Sequence, residues 1–423
     1  MNTTSYLLTS LFLAQAGLLS AQTGASAPGS TRELLLAATD HTKDSRARCE
    51  AMKALGDSKD ETVRYILTKA IMDPDAGVQS CASIIAGETR NPQAVDLLLK
   101  NVKGYLAAGS GEKSVIPRLA AINSIWALGE IGSKGIALEL REFYRTPDTT
   151  LKINNLIGMG KQHGDAAAAA FIKSVALSPE EAGAVRAAAF EMLEEMGEKL
   201  TVPGLALSAD IGIPPGDIIY SGGLTGEINE WVSPDLPVGH SGILVGTEAG
   251  NGRIYVLIGD CVPGFFTPPD VRNIKAWKNF THQFKYPYYG NKTTSPAPTA
   301  EQRAKIVALS LELGTKGYKY DYTHISQKGP VKFDCVGYSE YIYESAGLNP
   351  TDNSYESGLG WPLTPWEQYS SLVSGKSRAV VVSPFPPASE VPAVPAEMLK
   401  KGLFGAAGEP AKANIIIEPE PAK

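Results

Sequence analysis

The chain has 423 residues, of which 45 are acidic and 39 are basic, so its formal net charge at pH 7 is −6. That balance argues against a broad basic surface of the kind that binds nucleic acid. The length and a hydrophobic fraction of 43% are typical of a soluble globular protein with room for two hydrophobic cores.

The amino-terminal 30 residues predict a secretory signal. Residues 6–21 are almost wholly apolar or small, no Lys or Arg precedes Arg32, and the small residues Ser20 and Ala21 suit signal cleavage. The apolar run is short for a membrane span. We therefore expect a signal peptide at 1–21, a leader at 22–30, and a secreted or periplasmic protein without a transmembrane anchor. An ordinary apolar helix of the mature fold is the alternative.

Residues 31–204 are rich in Ala, Leu, Glu and Lys at helical spacing, and they contain a recurring pattern. Five apolar helical segments each reach a glycine, at Gly56, Gly87, Gly129, Gly160 and Gly197, with gaps of 31, 42, 31 and 37 residues. This pattern resembles short HEAT repeats, in which a left-handed glycine ends the second helix of each pair. The resemblance implies five helix pairs stacked into a solenoid. A non-repetitive helical bundle is the alternative.

Cys49 and Cys81 fall on the predicted core faces of neighbouring helices. Stacked helices lie roughly 8 to 10 Å apart, whereas a disulfide needs Cα atoms within about 7 Å of each other. We therefore expect two buried thiols rather than a bridge, and Cys261 should pack after a strand. The sequence has no Cys/His spacing typical of zinc sites, no glycine-rich phosphate loop and no HExxH motif, so we predict no metal and no cofactor.

One cysteine of residues 205–372 stands where a nucleophile would be favoured. Cys335 follows a Gly-Pro turn and an extended stretch, at the predicted first turn of an amphipathic helix. Unpaired backbone N–H groups and the positive end of the helix dipole favour the thiolate, which is the nucleophilic form. The same N–H groups would stabilise an oxyanion. A small buried apolar residue is the alternative role for this cysteine.

Three histidines are candidates for the base that would accept the thiol proton. His240 opens a short apolar strand, His324 lies 11 residues before Cys335, and His282 belongs to an alternating segment that predicts a strand. We favour His240, because an imidazole at a strand mouth suits the role of base. The other two are alternatives, and His282 is also a candidate for a third polar group.

The order of these segments resembles that of the circularly permuted papain-like cysteine hydrolases of the NlpC superfamily. A Gly-Asp turn at 216–217 leads into a first strand, His240 opens the next, and Cys335 comes last on a helix. The resemblance covers residues 205–372 and implies Cys335 as nucleophile and His240 as base. It also implies a third polar residue on the strand paired with that of His240. Asp260 is the best match after a shift of one residue, and a turn residue is the alternative there.

The sequence thus predicts a multidomain fold. An all-α HEAT-like solenoid at 31–204 would be followed by an α+β papain-like domain with a small antiparallel β-barrel or sheet at 205–372. Residues 373–423 are rich in Pro, Ala and Glu, which predicts a largely disordered tail.

The resemblance implies an exported thiol hydrolase, a cysteine peptidase or amidase, that cleaves an amide bond in peptidoglycan peptides. One alternative is a hydrolase or acyltransferase of the same fold that acts on lipid or acyl esters. A second is a non-catalytic protein whose solenoid binds a partner protein or a polymer.

Overall fold

The structure is a computed structural model, and it describes residues 30–108, 115–222, 238–263, 270–321, 332–351 and 364–373. Residues 1–29 and 374–423, which include the predicted signal peptide, the leader up to residue 29 and all but the first residue of the predicted tail, lie outside the described residues, as does His324.

In the described part of residues 31–195, ten α-helices follow one another as five pairs. They are α1 (Thr31–Thr39), α2 (Ser45–Leu55), α3 (Glu61–Lys69), α4 (Ala76–Glu88), α5 (Val95–Ala107), α6 (Val115–Ile131), α7 (Ile136–Phe143), α8 (Thr149–Gly160), α9 (Ala166–Leu177) and α10 (Gly183–Glu195). Aspartate side chains accept backbone N–H groups at the starts of five of them, at Asp44, Asp60, Asp75, Asp148 and Asp165. The second helices of the pairs pack against one another in chain order. We call residues 31–195 the helical region.

Four of the five glycines of the repeating pattern do not end helices in the left-handed conformation that the sequence predicted. Among the five, only Gly197 has a positive φ, of 81°. Gly56 is right-handed, with a φ of −53°, and Gly87 and Gly129 lie inside α4 and α6. Gly160 is the last residue of α8 and has no positive φ. The prediction of a left-handed helix end is therefore confirmed at Gly197, just after α10, and was wrong at the other four glycines.

Three of these glycines instead allow the second helices to approach closely. A Cβ atom at Gly129 would lie 2.7 Å from the Cα atom of Gly158 in α8. A Cβ atom at Gly160 would lie 2.6 Å from the sulfur of Met192, and one at Gly87 would lie 2.6 Å from the Trp126 ring. Real Cβ contacts are essentially never this short, so any larger residue would push the helices apart.

Cys49 and Cys81 form a disulfide that joins α2 to α4, with their Cα atoms 5.9 Å apart. The expectation of two separate thiols was wrong because it compared a Cα distance with a distance between helix axes. Cα atoms lie about 2.3 Å from the axis of their helix, so facing Cα atoms come closer than the axes by roughly twice that amount.

The second half of the chain contains an antiparallel five-stranded sheet. Its strands are β1 (Ile218–Ser221), β2 (His240–Gly250), β3 (Arg253–Cys261), β4 (Val271–Ile274) and β5 (Tyr288–Lys292), in the order β4-β3-β2-β1-β5. The other elements are α11 (Trp277–Phe280), α12 (Ala300–Leu313), β6 (Lys319–Tyr320), β7 (Lys332–Phe333), α13 (Cys335–Ser345) and α14 (Pro365–Val373). Helices α12 and α13 pack on the sheet. The predicted combination of a helical part and an α+β part with a small antiparallel sheet is confirmed at this level.

His282 lies in a turn rather than in the strand that its alternating neighbours predicted. Helix α11 ends at Phe280, and His282, Gln283 and Phe284 have φ angles of 51°, 62° and 57°. Alternation of apolar and polar residues does not distinguish a strand from a tight turn in which some side chains happen to be buried.

The helical region and the sheet share one hydrophobic core. The largest cluster of contacting buried apolar side chains includes Leu128 and Phe190 from the helices and Ile243 and Ile258 from the strands. No helix among the described residues has the length and apolar character needed to cross a membrane.

Candidate active site

Cys335 is the first residue of α13, as the sequence predicted. The preceding residue, Asp334, caps the helix, because its carboxylate accepts the backbone N–H of Gly337 at 2.7 Å. The predicted amphipathic character is not observed, since nearly every side chain from Cys335 to Tyr343 is buried. The helix therefore carries its first residue into the interior of the fold, where Cys335 is 3% exposed.

His240 is the first residue of β2, and the residue after it contacts the cysteine directly. The Ser241 hydroxyl donates to the carbonyl oxygen of Cys335 at 3.0 Å. The backbone amide of Ser241 also lies against the Cys335 thiol, where it favours the thiolate. Ser241 and Cys335, which are 94 positions apart in the sequence, are therefore brought together where β2 meets α13.

Asp260 contacts the imidazole of His240 from the neighbouring strand. The His240 Nε2 atom and the Asp260 Oδ1 atom are 2.8 Å apart, and both side chains are buried. Asp260 lies within β3, opposite Arg272 of β4, so it is a strand residue and not the turn residue of the alternative interpretation. A carboxylate at Nε2 fixes the proton of a neutral imidazole there, which leaves Nδ1 as the acceptor.

Arg272 completes the site and was not identified from the sequence. Its Nε and Nη2 atoms each lie 3.2 Å from the Oδ2 atom of Asp260, so the carboxylate contacts a histidine through one oxygen and a guanidinium through the other. Burial opposes the ionisation of Asp260, but the attraction of His240, its hydrogen bond and the charge of Arg272 outweigh burial and lower the pKa of Asp260 to about 2. Asp260 is therefore a carboxylate at neutral pH.

The Cys335 thiol is protonated at rest, contrary to the expectation from its place at a helix start. Burial raises the pKa of the thiol, and the negative charge of Asp334 raises it further. The backbone amides of Ser241 and Val336 act in the opposite direction but do not compensate. Burial and the capping carboxylate therefore outweigh the helix-start amides in setting the charge of this cysteine.

Two aromatic rings contact the imidazole of His240. The centroid of the Phe280 ring lies 5.1 Å from that of His240, and the centroid of the His282 ring lies 5.3 Å from it. Burial and the nearby charges of His240 and Arg272 lower the pKa of His282 to about 3, although Asp260 opposes this. His282 is therefore uncharged at neutral pH, and its ring lies beside that of His240.

Gly259, next to Asp260 in β3, explains how two helices can pack so close to the site. A Cβ atom at this position would lie 1.9 Å from the Ser310 hydroxyl of α12 and 2.5 Å from the Tyr338 hydroxyl of α13. These two hydroxyls are themselves 2.9 Å apart. The absence of a side chain at Gly259 thus allows α13, which carries Cys335, to rest directly on the strand that carries Asp260.

Within the described ranges, no group of three or more His, Cys, Asp or Glu side chains is arranged to hold a metal ion. Comparison with protein-family models and with curated proteins found no match to the chain. The chemistry of the site is therefore inferred from its own residues and from the order of its motifs.

Proposed function

We propose that this protein is an exported papain-like thiol hydrolase, in which Cys335 is the nucleophile and His240 is the base. The observation that carries the proposal is the arrangement around β2. His240 is bonded to a buried carboxylate through Nε2, and the next residue, Ser241, contacts both the carbonyl oxygen and the thiol of Cys335. In the proposed reaction the oriented imidazole of His240 acts on the thiol of Cys335 at the start of α13, as thiol hydrolysis needs.

The reaction begins from a neutral thiol. His240 accepts the Cys335 proton at Nδ1 while the sulfur attacks the substrate carbonyl, and backbone N–H groups at the start of α13 stabilise the resulting oxyanion. The bond to the leaving amine then breaks as the imidazolium protonates it, which gives a thioester on Cys335. Water, deprotonated by His240, releases the carboxylic acid and restores the thiol. Asp260 stabilises the imidazolium in both steps.

The substrate that we propose is an amide bond in a cell-wall peptide. The predicted signal peptide supports an extracytoplasmic location, where such peptides are found. The Cys49–Cys81 disulfide supports the same location, because disulfides form and persist mainly in oxidising compartments. The order of the motifs supports amide chemistry, since it resembles that of the NlpC superfamily.

We propose further that the helical region is a HEAT-like solenoid. Its support is the succession of five helix pairs whose second helices stack in chain order. Glycines at corresponding places in α4, α6 and α8 allow that stacking. A repeat in which each helix pair buries its apolar face against the next accounts for both features.

The test is incubation of the purified protein with muropeptides and, in parallel, with p-nitrophenyl acyl esters. Products and any acyl group on Cys335 are identified by mass spectrometry. We expect a new amine and carboxyl from the muropeptides, no turnover with Cys335→Ala, and a loss of about 100-fold or more with His240→Ala. His163→Ala is the matched control, since His163 is exposed outside the site.

If only the esters are hydrolysed, the proposed amide substrate is wrong and an acyl ester is the substrate instead. The absence of turnover and of any acyl adduct with both substrate classes would exclude the proposed hydrolase, and a binding role for the helical region would then be favoured.

A further inference from the structure

One short segment of the chain contacts the imidazole ring of His240. Residues 277–284, which we call the clamp segment, comprise helix α11 and the turn that follows it. This segment supplies both rings that contact His240, from Phe280 and from His282. The orientation of the base thus depends on where the clamp segment lies.

The start of the clamp segment is bound to the helical region. The Glu191 carboxylate of α10 accepts the backbone N–H groups of Trp277 at 2.8 Å and Lys278 at 2.9 Å. The indole N–H of Trp277 donates to the carbonyl oxygen of Ala184, also in α10, at 3.0 Å. Glu191 and Trp277 are both buried, so these bonds are shielded from water.

The end of the clamp segment is bound to the helical region as well. Lys161, which follows α8, donates from Nζ to the carbonyl oxygen of Phe284 at 2.8 Å. The same ammonium is paired with Glu130 of α6 and lies over the Trp126 ring, 5.7 Å from its centroid. Lys161 of the helical region therefore holds the backbone of the turn at Phe284, two residues after His282.

The backbone of the turn needs such support. His282, Gln283 and Phe284 all have left-handed φ angles, although none of them is glycine. This conformation is unfavourable for residues with a Cβ atom, and consecutive examples persist only where the surrounding contacts enforce them. The bonds from Glu191 and Lys161 are contacts of that kind.

We propose that the helical region positions the base of the proposed hydrolase by holding the clamp segment, so that the rings of Phe280 and His282 fix the plane of the His240 imidazole. The inference rests on the proposed function. His282 is a positioning residue here and acts through its flat ring. The groups that face it are His240 of β2, Asp260 of β3, Arg272 of β4, and Lys285 and Tyr286 of the same loop.

The test compares His282→Phe, which keeps a flat ring, with His282→Ala, which removes it. The readout is the rate at which p-nitrophenyl acetate acylates Cys335, measured from pH 5 to pH 9. We expect His282→Phe to keep the rate and the pH profile of the wild type. We expect His282→Ala to lower the rate about tenfold, the size of effect seen when supporting residues of a site are removed, and to shift the profile. Thermal unfolding of each variant checks the fold, and His282→Leu replaces His282→Ala if that variant does not fold.

The connection to the helical region is tested by Lys161→Met, alone and combined with His282→Ala. If both residues act on His240 through one segment, the double variant acylates no more slowly than His282→Ala alone. Rate losses that multiply would overturn the connection. If Lys161→Met does not fold, the combination of Lys161→Gln with His282→Ala decides the same point.

The outcomes separate this inference from the proposed function. If His240→Ala acylates Cys335 at the wild-type rate, His240 is not the base, and both the proposed function and this inference are overturned. Slow acylation in His240→Ala together with a wild-type rate in His282→Ala would overturn the positioning role alone. Equal losses in His282→Phe and His282→Ala would show that the imidazole nitrogens, and not the ring packing, matter.

Discussion

Asp334 has two effects on Cys335 that a single substitution separates. Its side chain caps α13, and its negative charge raises the pKa of the thiol. Asparagine caps helices about as well as aspartate but carries no charge. We predict that Asp334→Asn lowers the pKa of Cys335, so its alkylation by iodoacetamide at a fixed pH below that pKa becomes on the order of tenfold faster, because the thiolate fraction rises. Mass spectrometry of the Cys335 peptide at several fixed pH values between 6 and 10 measures these rates.

Asp334→Ala is the control for the cap. It removes the charge as well, so it should lower the thiol pKa in the same direction, but it should also cost about 1 kcal/mol of stability. An alkylation rate that stays unchanged in both variants at each pH would mean that the charge of Asp334 does not affect the pKa of Cys335.

Asp260 should make the free energy of unfolding depend on pH below about pH 4. Its pKa is lowered from 3.8 to about 2 in the folded protein, which corresponds to roughly 2 kcal/mol of stability. Because the folded pKa lies below the unfolded one, this contribution is present above about pH 4 and is lost as the pH falls through about 2. We predict that Asp260→Asn lacks it. Urea unfolding of both proteins should give a stability difference that shrinks from pH 5 to pH 2, whereas a constant difference would contradict the assignment.

Local sequence indicated Cys335 and His240, and only the resemblance indicated Asp260, whereas the charges of the three followed from neither. A Gly-Pro turn before Cys335 and an apolar run after His240 are signals that lie next to the residues concerned. The raised pKa of Cys335 depends on burial by distant elements. Arg272 could be assigned to the site only once the strand register showed that it lies opposite Asp260. Interactions across strands need the pairing, which one sequence does not specify.

At the scale of whole elements, the close approach of α6 and α8 gives a sharp prediction. Gly129→Ala places a Cβ atom 2.7 Å from the Cα atom of Gly158, and it should destabilise the protein by about 1 to 3 kcal/mol because the helices must separate. Gly104 of α5 is the matched control, because it is exposed and no described residue outside its own stretch of helix lies within 4 Å of a Cβ atom at this position. Gly104→Ala should stabilise by up to about 1 kcal/mol. Urea unfolding measures both, and equal effects would contradict the packing role.

The same glycines show how far a pattern in the sequence predicts an element. Their spacing correctly marked the recurring second helices, because a periodic structure needs small residues at equivalent places. It did not indicate whether the small size served a left-handed helix end or a helix contact, since both favour glycine. The Cys49–Cys81 bridge was missed for a different reason, because facing Cα atoms lie closer together than the axes of their helices.

At the scale of the whole molecule, the helical region covers an edge of the sheet. β5 is an edge strand, and edge strands leave backbone groups that need partners. The Asn154 side chain of α8 supplies both partners for Tyr288 of β5, because its Nδ2 donates to the Tyr288 carbonyl oxygen at 2.7 Å and its Oδ1 accepts the Tyr288 N–H at 3.1 Å. Arg118 of α6 donates to the next carbonyl oxygen at 3.3 Å. The side chains of the helices thus act on β5 as a further strand would.

Asn154→Leu should therefore weaken the connection between the two halves of the protein. It leaves a buried N–H and a buried C=O of Tyr288 without these partners, and each unsatisfied group costs about 1 to 3 kcal/mol. Asn155→Leu is the matched control, because the buried Asn155 amide donates only to Leu151 of its own helix and its Oδ1 atom accepts no hydrogen bond from the described residues. That substitution should change stability by less than about 1 kcal/mol.

Hydrogen exchange measured by mass spectrometry shows which regions of the protein Asn154→Leu affects. In the wild type, α8 and β1 should open with the same free energy, since they share one core, and in Asn154→Leu exchange should rise first in β5 and β1. An equal rise throughout both halves would mean that the Asn154 contact stabilises the fold as a whole and does not join its parts.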